Sequence, residues 1–140
     1  MAALTSARAT RKYSWDTVPY QLNVKMKGST TVYQGGLVVL DGGYAKPGAT
    51  AAGLVAFGRA EETKTNAGSD GDASILVTFG AFKWANSAST DAVTDANVGA
   101  LCYVVDDQTV MITATGKSAA GRVLAVESDG VYVLTFPGFN

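Results

Sequence analysis

Turn signals built on glycine recur along this chain at intervals too short for long helices: Gly28-Ser29, Gly35-Gly36, Asp41-Gly42-Gly43, Pro47-Gly48, Asp129-Gly130 and Pro137-Gly138 among them. Glycine reaches backbone conformations that other residues avoid and proline cannot donate to a β-ladder, so such clusters punctuate strands. Between them lie short segments with the two-residue period of β structure. The cleanest is residues 20–27, where Tyr, Leu, Val and Met alternate strictly with Gln, Asn, Lys and Lys. That alternation predicts a strand with one buried face. Pro19 stands at its start, where a missing backbone donor does least harm.

The same grammar continues. Residues 30–40 are β-prone and interrupted by Gly35-Gly36, which predicts two short strands. Residues 53–59 predict another, with Gly58 marking a bulge or a close backbone approach. Residues 61–72 read as a polar loop. Residues 74–84 hold the longest apolar run and predict a strand buried on much of both faces. Residues 86–97 are the one place for a short helix, with Thr90 or Asp91 as its cap. A hairpin is expected from residues 101–105 and 109–115 around Asp106-Asp107-Gln108, and a second from 122–127 and 131–136 around Asp129-Gly130. These seven to nine short strands predict an all-β fold, a small β-sandwich or β-barrel with at most one short helix. One β domain is expected over residues 18–140, preceded by an extended N-terminal arm over residues 1–17.

A chain of 140 residues suits a single core. Charged residues make up 16% of it, well under the usual quarter, which leaves a surface of Gly, Ala, Ser and Thr suited to protein contact. The charge is unevenly placed. Up to Lys27 there are five basic residues against Asp16 alone, so this part carries +4, and the overall charge of −1 leaves −5 for the rest. A basic segment carrying Arg8, Arg11 and Lys12 beside the aromatic anchors Tyr13, Trp15 and Tyr20 predicts an arm that docks on another protein surface. Direct nucleic-acid binding is not expected, because the body is acidic. The first twelve residues have the Ser, Thr and Arg content of an organellar transit peptide, a reading ranked below the docking arm. No run of 18 apolar residues and no secretory signal core is present in the sequence, so no membrane association is expected and the chain should be soluble where it is made.

The residues that carry chemistry are few. The absence of histidine removes Ser-His-Asp and Cys-His catalysis and the commonest transition-metal ligand, and a single cysteine cannot build a structural zinc site. Cys102, between Leu101 and Tyr103, is expected to be a small buried hydrophobe. Gly116-Lys117-Ser118 resembles the end of a phosphate-binding loop, but Met111 stands where that pattern needs glycine. A Ser118-Lys117 hydrolase is opposed by geometry, since neighbours in an extended segment point to opposite sides. Glu61-Glu62, Asp70 with Asp72, and Asp106-Asp107 are carboxylate pairs set in turns, where Asp bonds the turn backbone. The segment 66–72 has oxygen ligands but not the spacing of a calcium loop. No enzyme activity, metal or cofactor is therefore expected.

Residues 97–110, then Ala120-Gly121-Arg122-Val123-Leu124-Ala125-Val126, then Asp129-Gly130-Val131-Tyr132-Val133 follow one another as a glycine-led strand, an Asp-Asp hairpin, a Gly-Arg-Val strand and a closing strand. In that order they resemble the head decoration, or cement, proteins of tailed bacteriophages, and residues 33–40 and 42–46 are similar to the portion preceding them. The resemblance covers residues 33–136. It implies a virion protein made in the host cytoplasm that sits on the outer surface of the capsid as a homotrimer or dimer. There it would bind the major capsid protein, bridging and stabilising its subunits, with the arm pairing to capsid strands. The alternative is another virion or surface binding module, a tail or fibre domain or a carbohydrate-binding β-sandwich. For a sugar binder Trp84 is the obvious aromatic candidate, although its place at the end of an apolar strand puts it in a core or interface.

Overall fold

The structure, a computed structural model, describes residues 5–9 and 20–138. Among them eleven strands form: β1 (Tyr20–Lys25), β2 (Thr30–Val32), β3 (Leu37–Asp41), β4 (Tyr44–Pro47), β5 (Val55–Ala60), β6 (Lys64–Asn66), β7 (Ser74–Asn86), β8 (Leu101–Val104), β9 (Thr109–Met111), β10 (Ala119–Glu127) and β11 (Gly130–Thr135). The fold is all-β, as expected, with two more strands than the sequence suggested. One is β4, hidden by the turn signal around Pro47. The other is β6, which lies inside the expected polar loop and pairs with β2. Pro47 ends β4, the last strand in the sheet order, where its missing donor costs least.

The 13-residue β7 organises the rest. Its first half pairs antiparallel with β1, from Tyr20 opposite Phe79 to Lys25 opposite Ser74, and with β5 through Thr78 and Val77. Its second half pairs antiparallel with β11, from Thr135 opposite Gly80 to Val131 opposite Trp84, and parallel with β9. From β11 the ladder passes to β10, then β8, then β9, and so returns to β7. These five strands close a barrel, which removes their edges. β5, β3 and β4 extend the sheet as β7-β5-β3-β4, β1 pairs with β7 off that path, and β2 and β6 form a separate two-stranded sheet. A parallel bridge from Met26 to Ala45 draws the chain leaving β1 against β4, so this part curls on itself as well.

Two cores result. One gathers Val104, Val110, Val123, Val131, Val133 and Trp84 of the five-strand ring together with Leu37, Val39 and Ala56 of β3 and β5. The second gathers Val24, Met26, Val32, Ala45, Ile75 and Val77. Successive side chains of a strand point to opposite faces, and β3 uses this to serve both: Leu37 and Val39 enter the first core, Val38 the second. Likewise Ile75 and Val77 of β7 face the second core while Trp84 faces the first. The uninterrupted apolar run of β3 is thus the pattern of a wall shared by two interiors. Opposite Val38 and Val39, β5 carries a bulge at Phe57, and a side chain on Gly58 would run into the Thr78 carbonyl. Both readings of Gly58 hold.

The short helix expected in residues 86–97 is realised as two single 3-10 turns, Ser89–Asp91 and Asp95–Asn97. Val93 between them is buried in the first core, and the Asn86 side chain bonds both its N–H (2.9 Å) and its carbonyl (2.8 Å). On either side of Val93 the backbone of Ala92 and Thr94 is extended, where a continuous helix would need helical residues. Neither Thr90 nor Asp91 caps a helix. Thr94 caps the second turn, where the Asn97 side chain accepts from the Thr94 N–H, and the Asp91 carboxylate takes a 2.6 Å hydrogen bond from Thr113 instead.

Cys102 is fully buried in the first core, and burial pushes its thiol up to about 12. The thiolate is the reactive form. Labelling with a thiol reagent at pH 8 should therefore be negligible in the native protein and complete in denaturant, and rapid native labelling would contradict this packing.

Candidate binding surface

The carboxylate pairs do not converge on a cleft. Asp70 accepts from the Gly28 N–H at 2.8 Å, Asp72 from Ser69 at 2.9 Å, and Asp106 from Gln108 at 2.9 Å, each tying down a turn. Glu62 accepts from the Leu76 N–H. Glu61 is pushed up by burial, but hydrogen bonds from Arg59 and Thr78 outweigh this and hold it below the ordinary carboxylate value. Among the described residues no group of three or more Cys, Asp or Glu side chains could hold a metal ion. Ser118 is buried, donating to the Ala51 carbonyl at 2.7 Å and accepting from the Leu54 N–H at 2.9 Å, while Lys117 donates to the Thr115 carbonyl. The serine pins the 51–54 loop.

Of the residues expected to dock on a partner, Arg8 is exposed in the stretch 5–9, which has neither strand nor helix. Arg11, Lys12, Tyr13 and Trp15 lie outside the described residues. Tyr20 opens β1 and is half-buried, its ring centroid 4.9 Å from that of Phe79, which meets Phe57 edge-on at 4.8 Å. Tyr20 thus opens β1 as part of an aromatic cluster with Phe79 and Phe57. Among the described strands β1 pairs with β7 alone.

A second surface was not anticipated from the sequence. Beside β7 a groove of about 460 Å³ is lined by Arg59, Phe82, Lys83, Gln108, Tyr132 and Gly35, among others. A smaller hollow of about 200 Å³ shares Gly35 and Gln108 with it and continues to Tyr33 and Gln34. Tyr33 is 61% exposed and Tyr132 36%. The Tyr33 end is built by a tight turn in which the Gly36 N–H bonds the Tyr33 carbonyl at 3.0 Å, with φ of +87° at Gly35. A four-residue turn with positive φ at its third residue is type II, which is why glycine stands there. Further bonds from Gln34 N–H to the Thr63 hydroxyl and from Gly35 N–H to the Ala60 carbonyl, both 2.9 Å, fix the turn to neighbouring segments. Gln108 is held as firmly, its carbonyl accepting from the Ala85 N–H at 2.7 Å.

The two cations of the groove are both paired. Arg59 lies 4.8 Å over the Phe82 ring and donates twice to Glu61. Lys83 lies 5.5 Å from the Tyr132 ring and donates to Asp129 at 2.9 Å and Glu127 at 3.4 Å. Its hydrogen bond to Asp129 raises Lys83 above the ordinary lysine value and lowers Asp129 below the ordinary carboxylate value. Trp84, whose ring stands at the buried side of the same stretch of β7, is only 3% exposed and donates to the Thr135 hydroxyl at 3.2 Å. It is a core residue.

No protein-family model, no curated protein and no solved structure significantly matches this chain.

Proposed function

We propose that this chain is a capsid decoration protein that binds the outer surface of an assembled phage head and stabilises it by bridging subunits of the major capsid protein. The observation that carries the reading is the junction at Tyr20. A basic, aromatic segment runs directly into β1, a strand that pairs on one side only among the described residues. A contiguous basic and aromatic segment leading into β1 suits attachment by strand addition to a partner sheet. The segments that carry the likeness to decoration proteins fold as β8, β9, β10 and β11, consecutive walls of the closed barrel. Such a barrel is a rigid body from which an arm can act, and repeated weak contacts around a symmetric shell, linked through self-association, reinforce it by effective concentration.

Removing residues 1–17 tests this reading. The truncated protein should keep the circular dichroism and cooperative unfolding of the full chain, because β1 and both cores lie beyond the deletion, and should no longer co-sediment with assembled heads. Full attachment by the truncated protein would sink the arm as the binding element.

A further inference from the structure

We infer that the groove between Tyr33 and Tyr132 is a binding site for an extended, neutral glycan. A sugar ring offers an apolar C–H face and a rim of hydroxyls, so a site for it needs exposed aromatic faces together with fixed donors and acceptors. Both are present. Tyr33 and Tyr132 stand at the two ends with large exposed side chains, and Gln34, Gln108, Arg59 and Lys83 line the hollows between them. Amides can donate and accept at adjacent hydroxyls, and guanidinium and ammonium groups can donate.

Three observations select this class of ligand. The groove is long and shallow, two hollows joined at Gly35 and Gln108, which fits a chain molecule lying along a surface better than a compact metabolite. Its charge leans acidic, because Arg59 is matched by Glu61, Lys83 by both Asp129 and Glu127, and Asp107 also lines the smaller hollow. A neutral ligand leaves those pairs intact, whereas an acidic one would have to compete with them. The frame of the groove is also fixed before any ligand arrives: the backbone at Tyr33 by a turn with several hydrogen bonds, the backbone at Gln108 by its carbonyl's bond to Ala85, and both cationic side chains by ion pairs and ring contacts. Preorganisation of this kind lowers the ordering cost of binding.

Affinity electrophoresis of the free protein tests the site without reference to heads, so its outcome is separate from that of the attachment experiment. Native gels containing a soluble mannan, a linear β-glucan or dextran should retard the protein with at least one of the three. Tyr33→Ala and Tyr132→Ala should each weaken that retardation by about tenfold in apparent affinity, as expected for loss of an aromatic anchor. Gln108→Ala should weaken it as well, and Tyr132→Phe, which keeps the ring, should retain most of it. Tyr33 lies on a surface turn, and unchanged thermal unfolding of its variant establishes that the fold is kept. Absence of retardation by all three neutral polysaccharides would overturn the proposal, as would retardation that the tyrosine variants leave unchanged. A tyrosine variant that lowers the solution mass of the protein would instead make this face a contact between copies and would likewise overturn it.

Discussion

Trp84→Ala should destabilise the protein by about 3–5 kcal/mol, the range for emptying a buried tryptophan site, seen as a fall in the urea midpoint with little change in slope. The indole stands in the closed barrel opposite Val131 of β11, with Phe82 5.7 Å away between ring centroids. No small rearrangement can fill the space, because the five surrounding strands are joined in a ring. Two milder variants separate ring from hydrogen bond. Trp84→Phe keeps most of the apolar volume but leaves the buried Thr135 hydroxyl without its indole donor, a cost of about 1–3 kcal/mol. Adding Thr135→Val should then recover part of the loss, since removing both polar partners is less costly than orphaning one. Since Cys102 shares this core, Trp84→Ala should also speed thiol labelling in the native state. A loss below about 1 kcal/mol for Trp84→Ala would contradict its place in the core.

The strands that sequence revealed are those whose inward faces are apolar. β1 alternates because one side of it meets the second core, and β10 and β11 are separated by a tight Asp-Gly turn that announces a hairpin. β6 escaped notice because Lys64-Thr65-Asn66 contains no apolar residue, and the side chain it buries is an asparagine. β4 was masked by Pro47-Gly48, a turn signal that here falls at the end of an edge strand. The apolar run of β3 showed that both faces are buried but not that two separate cores bury them. That division depends on long-range pairings, β7 with β1 and β5 along one half and with β11 and β9 along the other. No local pattern encodes them.

The residues of the two proposed binding surfaces divide in the same way. The basic and aromatic content of the first twenty residues is visible in composition, whereas Tyr33 and Tyr132 become related only through the sheet. Tyr132 looks like an ordinary outward residue of a closing strand, and Tyr33 like the lead-in to a glycine turn. The useful signal was the pairing of an aromatic with Gln34-Gly35-Gly36, a turn chemistry that places the preceding side chain outside the sheet. Trp84, more conspicuous by residue type, is the one the barrel consumes. Aromatic identity alone does not separate core from platform; parity along the strand does, since Trp84 lies on the face of β7 that meets the first core while Lys83 lies on the other.

Asn66→Asp should be more destabilising than Asn66→Ala at neutral pH, with a difference that shrinks on acidification. Asn66 is 2% exposed, and its amide nitrogen donates to the carbonyls of Met26 (3.0 Å), Lys27 (3.2 Å) and Ser69 (2.9 Å). Its oxygen accepts from the Gly68 N–H at 3.0 Å. One side chain thereby joins the end of β1, the ribbon of β2 and β6, and the loop leading to β7. Alanine removes these four bonds, at about 2–4 kcal/mol on the scale of one net hydrogen bond each, while the three carbonyls keep the Gly71 N–H, the Thr30 hydroxyl and the Asp72 N–H as donors. Aspartate keeps the shape but sets a carboxylate oxygen against three carbonyl oxygens, so its ionised form is penalised and its folded-state pKa must rise above the unfolded value of about 3.9. A raised folded pKa in an acid means that the native state binds the proton more tightly than the unfolded state does. Stability of Asn66→Asp relative to the parent should therefore improve as the pH falls through that raised value and level off below about 3.9. Urea midpoints of parent, Asn66→Ala and Asn66→Asp at pH 7 and pH 4 measure it. An aspartate variant as stable as the parent at pH 7 would show that this side chain does not hold the three segments together.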